Sequence, residues 1–187
     1  MALAARTAPK SLGQDYLEIK VISGADLQQL AEGMEAFGRE TGKKDFDRDA
    51  ESVRRSAAVF LIGLKNAKPL GLNCGACGFS RCDELVEHEG TEFRGPHCYW
   101  RAMDMGIAIG SAVKTASIFN VDNRVMYRAG VVARRLGLID AGVVLGVPLA
   151  ATGKSVFFDR APKKGNYSGT GFRSEFRSHP ALNSDIR

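Results

Sequence analysis

Four thiols carry the chemical interest of this chain. Residues 71–84 read GLNCGACGFSRCDE, and a fourth cysteine follows in Gly95-Pro96-His97-Cys98. No other cysteine occurs in the 187 residues, so the pattern is Cys74-x2-Cys77-x4-Cys82-x15-Cys98. Three uses of four thiols compete. Disulfides suit small secreted chains, and neither the length nor the N-terminus fits that class. Structural zinc usually shows two tight C-x2-C pairs, whereas Cys82 and Cys98 stand alone. Iron–sulfur clusters favour three thiolates from one compact loop and a fourth from a distant one, which is the spacing found. Zinc stays as the alternative ligand for the same four sulfurs.

The glycines support a cluster. Gly75 and Gly78 each follow a cysteine, which lets the backbone curl around a bulky inorganic core and turns amide N–H groups towards sulfur. Phe79, Tyr99 and Trp100 stand beside the ligands and could shield the site, or could be ordinary core aromatics. With four sulfurs available, His88 and His97 read as bystanders.

The elements that must position these thiols are legible from periodicity. Tyr16–Ser23 (YLEIKVIS) alternates and predicts a strand, ended by Gly24. Leu27, Leu30, Met34 and Phe37 then form the stripe of an amphipathic helix. A short helix is expected over Asp49–Arg55, and the continuous apolar run Ala57–Lys65 predicts a central strand covered on both faces. A long helix should run from about Tyr99 to Phe119. Asp122 looks like the N-cap of a helix that ends at Leu136, with Gly137 as its left-handed stop. Ala141–Leu149 predicts another buried strand. Strands alternating with helices point to an α/β domain of two or three layers.

Size and charge narrow the function. A chain of 20.2 kDa with 44% hydrophobic and 25% charged residues suits one globular domain. The longest apolar candidate, Met105–Val121, contains Lys114 and Asn120, so no membrane span is expected. MALAARTAPKSLGQD offers no convincing export signal, which favours a cytoplasmic location. The net charge is +5, of which residues 161–187 supply +3 through Lys163, Lys164, Arg173, Arg177 and Arg187 against Glu175 and Asp185. The remaining +2 is too small to suggest nucleic-acid binding. The division expected is a single domain over 1–160 with the cysteine segment 72–98 inserted in it, then a basic, extended or flexible tail over 161–187.

The cysteine segment resembles the small four-cysteine domain of corrinoid iron–sulfur proteins and of ion-translocating ferredoxin oxidoreductases. That family reads C-G-x-C-G-x-x-x-C with a fourth cysteine after a short helix near a proline. Cys74-Gly75, Cys77-Gly78, Cys82 and Pro96/Cys98 match it. The resemblance implies a [4Fe–4S] cluster held by Cys74, Cys77, Cys82 and Cys98, with Asp83–Glu89 as the intervening helix.

Two flanking stretches resemble the nitroreductase-like flavoproteins: Ala5–Asp15 leading into YLEIKVIS, and Asp104–Ala116 as a long core helix. Leu145-Gly146-Val147-Pro148 is similar to that family's terminal G-x-P strand. The resemblance implies a nitroreductase-like sheet covered by helices, an α/β (α+β) fold. It also implies FMN, for which Arg6, Lys10, Lys154 and Arg160 are the candidate phosphate partners. The Arg-rich opening of that family is missing from Met1–Ala4. Ala102, Gly106 and Gly110 share one helix face, which packs in the core or, as the resemblance implies, in a homodimer. Over its full length the chain resembles a family of uncharacterised prokaryotic proteins with a ferredoxin domain, through the cysteine segment, GIAIGSAVKTAS, VDNRVMY and GVPLAATGKSVFFDR.

Ala151-Thr152-Gly153-Lys154-Ser155 looks like the end of a P-loop, but Pro148 stands where the first glycine belongs and no helical pattern follows. The residues therefore support an electron carrier working with a redox partner protein. An FMN-dependent reductase fed by the cluster is the alternative, and a non-redox metal-stapled module the second.

Overall fold

A computed structural model describes residues 1–158. Arg160 and the basic tail 161–187 lie outside the described residues. The elements are helix α1 (Ala2–Thr7), strand β1 (Leu17–Ile22), helices α2 (Gly24–Thr41) and α3 (Phe46–Arg54), strand β2 (Ala58–Leu64), the short strands β3 (His88–Glu89) and β4 (Arg94–Gly95), helix α4 (Tyr99–Ile118), strand β5 (Asp122–Asn123), helix α5 (Tyr127–Arg135) and strand β6 (Val143–Ala150).

Four strands pair in the order β1-β2-β6-β5, every pair antiparallel. The alternation of β2 divides the interior in two. Val59 and Leu61 face α2, α3 and α5, while Phe60, Ile62 and Leu64 face α1 and α4. An antiparallel sheet commonly leaves one face to water. Here both faces are covered, giving three layers, and the unbroken apolar run of β2 is the sequence trace of that burial.

The stripe Leu27, Leu30, Met34 and Phe37 is buried on α2 as its spacing requires. Two expected elements are redrawn. The chain at Asp122 does not cap a helix, because Asp122 and Asn123 pair with Ala150 and Leu149. Helix α5 therefore starts only at Tyr127, after Met126 has bridged to Gly146. The helix expected over Asp83–Glu89 is reduced to a single 3-10 turn at Cys82–Glu84. Beyond it, His88 and Glu89 pair instead with Gly95 and Arg94, and the Arg94 amide is fixed on the Gly142 carbonyl at 2.9 Å.

Gly137 stops α5 as anticipated. It sits at φ 67°, its amide bonds to the Arg134 carbonyl, and the Leu138 amide bonds to that of Ala133, a Schellman arrangement. A Cβ there would meet nothing within 4 Å, so the only cost of a side chain is conformational. Gly137→Ala should lower unfolding stability by about 1 kcal/mol in a urea titration. An unchanged midpoint would show that this turn relaxes.

Candidate functional site: the cysteine segment and its base

The cysteine segment leaves the body after β2 and rejoins it at α4. Its second half is docked: Arg134 of α5 donates to the carbonyls of Ala141 and Glu92 and pairs with Glu89 at 2.6 Å. That contact holds the Glu89 carboxyl below the usual carboxylate range. Phe93 packs edge-on against Tyr127 at 5.8 Å. Residues 71–87, which carry three of the thiols, project further into solvent.

All four cysteines are free. The Asn73 amide donates to Cys82 Sγ at 3.3 Å, and the Cys82 amide returns a bond to Asn73 Oδ1 at 2.8 Å. This reciprocal pair closes the loop that contains Cys74 and Cys77. Gly75 and Gly78 adopt φ 71° and 90°, a region open to glycine, and a turn bond joins the Gly78 amide to the Gly75 carbonyl. Cys74 is exposed. Hydrogen bonds from the Ala76 amide and then from the Trp100 side chain hold its thiol below the ordinary value.

Cys98 differs from the other three. It is buried at 6% exposure and precedes the first residue of the twenty-residue α4. Among the described residues no three Cys, His, Asp or Glu side chains converge closely enough to hold a metal ion. The donor set nevertheless fits a thiolate-held cluster: four unoxidised sulfurs, with an N–H group aimed at that of Cys82.

The feature missed in the sequence is a buried polar clasp beneath the segment. Arg101, one turn into α4, is 1% exposed. It donates to the carbonyls of Lys68 and Ser11 at 2.9 and 3.0 Å and to the Gln14 side chain. Its guanidinium also lies 4.7 Å from the centre of the Tyr16 ring and 3.4 Å from Asp104 Oδ2. Asp104 in turn accepts from the Ser11 amide and hydroxyl at 2.9 and 2.8 Å. The available signal was a charged pair three residues apart in an apolar helix that begins beside a cysteine.

The three candidate flavin cations among the described residues do not share one place. Arg6 pairs with Asp15 at 2.7 Å and donates to the Leu17 carbonyl. Lys10 directs its ammonium at the carbonyls of Ala5, Arg6 and Ala8, closing the end of α1. Leu17 is level with Leu64 and Val143, whereas Lys154 follows the far end of β6, where Leu149 is level with Ala58. The strand ends they flank are about 20 Å apart along β2. Arg160 lies outside the described residues.

Ala102, Gly106 and Gly110 lie on the exposed face of α4, and a Cβ built at either glycine meets nothing within 4 Å. The stripe therefore packs against nothing among the described residues. Met103 and Ile107 flank it, both more than 40% exposed. Among the described residues no helix is long and apolar enough to cross a membrane.

Comparison with known proteins agrees with this anatomy. The fold is similar to that of the FMN-dependent nitroreductase NfnB from Mycobacterium smegmatis, with a TM-score of 0.55 at 16% identity, covering 92% of this chain and 85% of that one. An FMN-dependent nitroreductase from Clostridium difficile R20291 gives 0.52 at 10% identity, over 91% and 85% of the two chains. Identities this low carry the fold and not the activity. An uncharacterised protein of Archaeoglobus fulgidus is 53% identical over 166 residues, spanning 88% of this chain and 90% of its own. Residues 94–160, which include Cys98, match the model of a family described as an uncharacterised protein containing a ferredoxin domain. A nitroreductase-like body with a four-cysteine segment clasped to its long helix is thus the form taken here by that ferredoxin-domain family, to which this chain belongs.

Proposed function

We propose that the protein is a cytoplasmic iron–sulfur redox protein that holds one [4Fe–4S] cluster on Cys74, Cys77, Cys82 and Cys98. It passes single electrons between a donor and an acceptor protein. The observation that carries this reading is the reciprocal pair of hydrogen bonds that closes the thiol loop, with the Asn73 N–H aimed at Cys82 sulfur. Such donors stabilise negative charge on sulfur and raise the potential of a cluster held there. The loop around Cys74 and Cys77 has little buried apolar surface of its own, so metal binding supplies its final closure. When bound, the cluster supplies a site that gains and loses one electron, and the chain supplies position and electrostatics. The exposure of Cys74 supports a site open to a docking partner.

The exposed stripe of α4, with Met103 and Ile107 beside Gly106 and Gly110, supports a homodimer in which two such helices approach closely. A second reading, an FMN-dependent reductase fed by the cluster, is favoured by the fold shared with flavoproteins. Its phosphate contacts would have to come from cations that one chain keeps at opposite ends of the sheet.

Anaerobic purification, metal analysis and an absorption spectrum before and after dithionite test these readings together. The expected result is a broad visible band that bleaches on reduction, with about four irons per chain. Sedimentation should report twice the 20.2 kDa of the chain. Structured flavin bands in the same sample would move the assignment to the reductase. A colourless protein with one zinc would overturn both redox readings and leave a structural or binding module.

A further inference from the structure

We propose that Arg101 is the positioning residue for the cluster: it sets the mouth of the cysteine segment and supplies the fixed positive charge beneath it. The inference rests on the cluster assignment above. It is carried by the way one side chain joins the two ends of the segment. Arg101 Nε donates to the carbonyl of Lys68, on the way in, at 2.9 Å. Its own backbone stands three residues after Cys98, on the way out, about 4.5 Å along the helix axis. The segment between is therefore a loop tied at its base.

Stability alone does not account for an arginine here. Burying a guanidinium is expensive, and apolar residues of similar volume usually serve a core equally well or better. The single carboxylate in contact, Asp104, lies 3.4 Å away, so most of the compensation comes from carbonyls and the Gln14 amide. Such a fork of five planar donors is what a junction of three backbone segments requires, and lysine cannot reproduce it. The adjoining residues serve the same end. The ligand candidate Cys98 immediately precedes α4, and the tie at Arg101 follows in its first turn. With the base held, the loop no longer has to lose its closure entropy when the four sulfurs gather.

The test compares the full chain with R101K and R101M, all purified anaerobically. Three quantities are read: the rate of iron release to a chelator, the midpoint potential of the retained cluster, and the thermal midpoint by circular dichroism. R101M should release iron about tenfold faster or more, the scale of losses behind metal ligands. Its potential should fall, because a positive charge near the cluster favours the added electron. R101K keeps the charge and loses the fork, so its iron should leave faster while its potential stays near that of the wild type. Should R101M fail to fold, R101K still decides the question of release. Release rates and potentials equal to wild type, with only the thermal midpoint lowered, would reduce Arg101 to a structural residue and overturn the proposal. A wild type that holds no iron would instead remove the cluster assignment itself, and this inference with it.

Discussion

Cys98→Ser protein, purified without oxygen, should be nearly colourless, with iron lowered by about tenfold or more, while its far-UV circular dichroism stays that of the wild type. Loss of groups that merely orient metal ligands costs ~10–100-fold in affinity, and loss of a ligand should not cost less. Cys98 is the thiol for which the effect should be largest. It is buried at the head of a helix that the core already holds, and the Ala102 amide fixes its carbonyl at 3.1 Å. The other three thiols ride on a loop that can adjust, whereas this one sets the point to which they must come. A serine oxygen is a hard donor, poorly matched to an iron–sulfur site. The fold should survive because α4 is anchored through Met105, Ala108, Ile109 and Ala112, well below the substitution. Wild-type iron and an unchanged visible band in this variant would remove Cys98 from the ligand set.

Gly130→Ala should be the most damaging of the small substitutions in the body. Alanine normally improves a helix interior by about 1 kcal/mol over glycine. At Gly130 the added Cβ would stand 1.9 Å from the Val144 carbonyl oxygen and 2.8 Å from Leu145 Cα. Both are backbone atoms of β6, so no rotamer relieves the clash, and either α5 must lift or the strand must bend. Overpacking should win, with a net loss of about 3 kcal/mol or more, a large part of a typical stability of ~5–15 kcal/mol. Urea unfolding of the purified variant checks the sign, and equal or greater stability would mean that α5 is not seated on β6 as described. The contrast with Gly137 is instructive: there the backbone angle forbids a side chain and space does not, at Gly130 the reverse.

Much of the body was legible because its elements bury along simple periods. YLEIKVIS and AAVFLIGLK became β1 and β2 with ends shifted by a residue or so. The helix from Tyr99 and the stop at Gly137 were equally direct. Asp122 misled because a good N-cap residue and a strand residue look alike until the partner strand is known, and its partner, Ala150, lies 28 residues on. Asp83–Glu89 failed for a similar reason. The helix that the resemblance implied there is replaced by a hairpin held by Gly142 and Arg134, neither of them nearby in sequence. The thiols were visible from spacing alone. Arg101 was not, since two of its four acceptors are main-chain carbonyls, which leave no mark on composition, and Gln14 lies 87 residues away.

The pairing of β2 has a consequence for how the protein is made. Its two partners are reached at very different times. Strand β1 is already synthesised when β2 emerges, but Leu64 pairs on its other side with Val143. The whole cysteine segment, α4 and α5 must be translated in between, roughly 4–16 s at ~5–20 residues per second. Throughout that interval β2 offers the nascent chain's surroundings an open edge, and its two apolar faces lack the cover of α4 and α5. The thiols appear on the ribosome during the same wait. Cells making this protein must therefore shield the half-built sheet until β6 arrives, and only then is the frame beneath the four thiols finished.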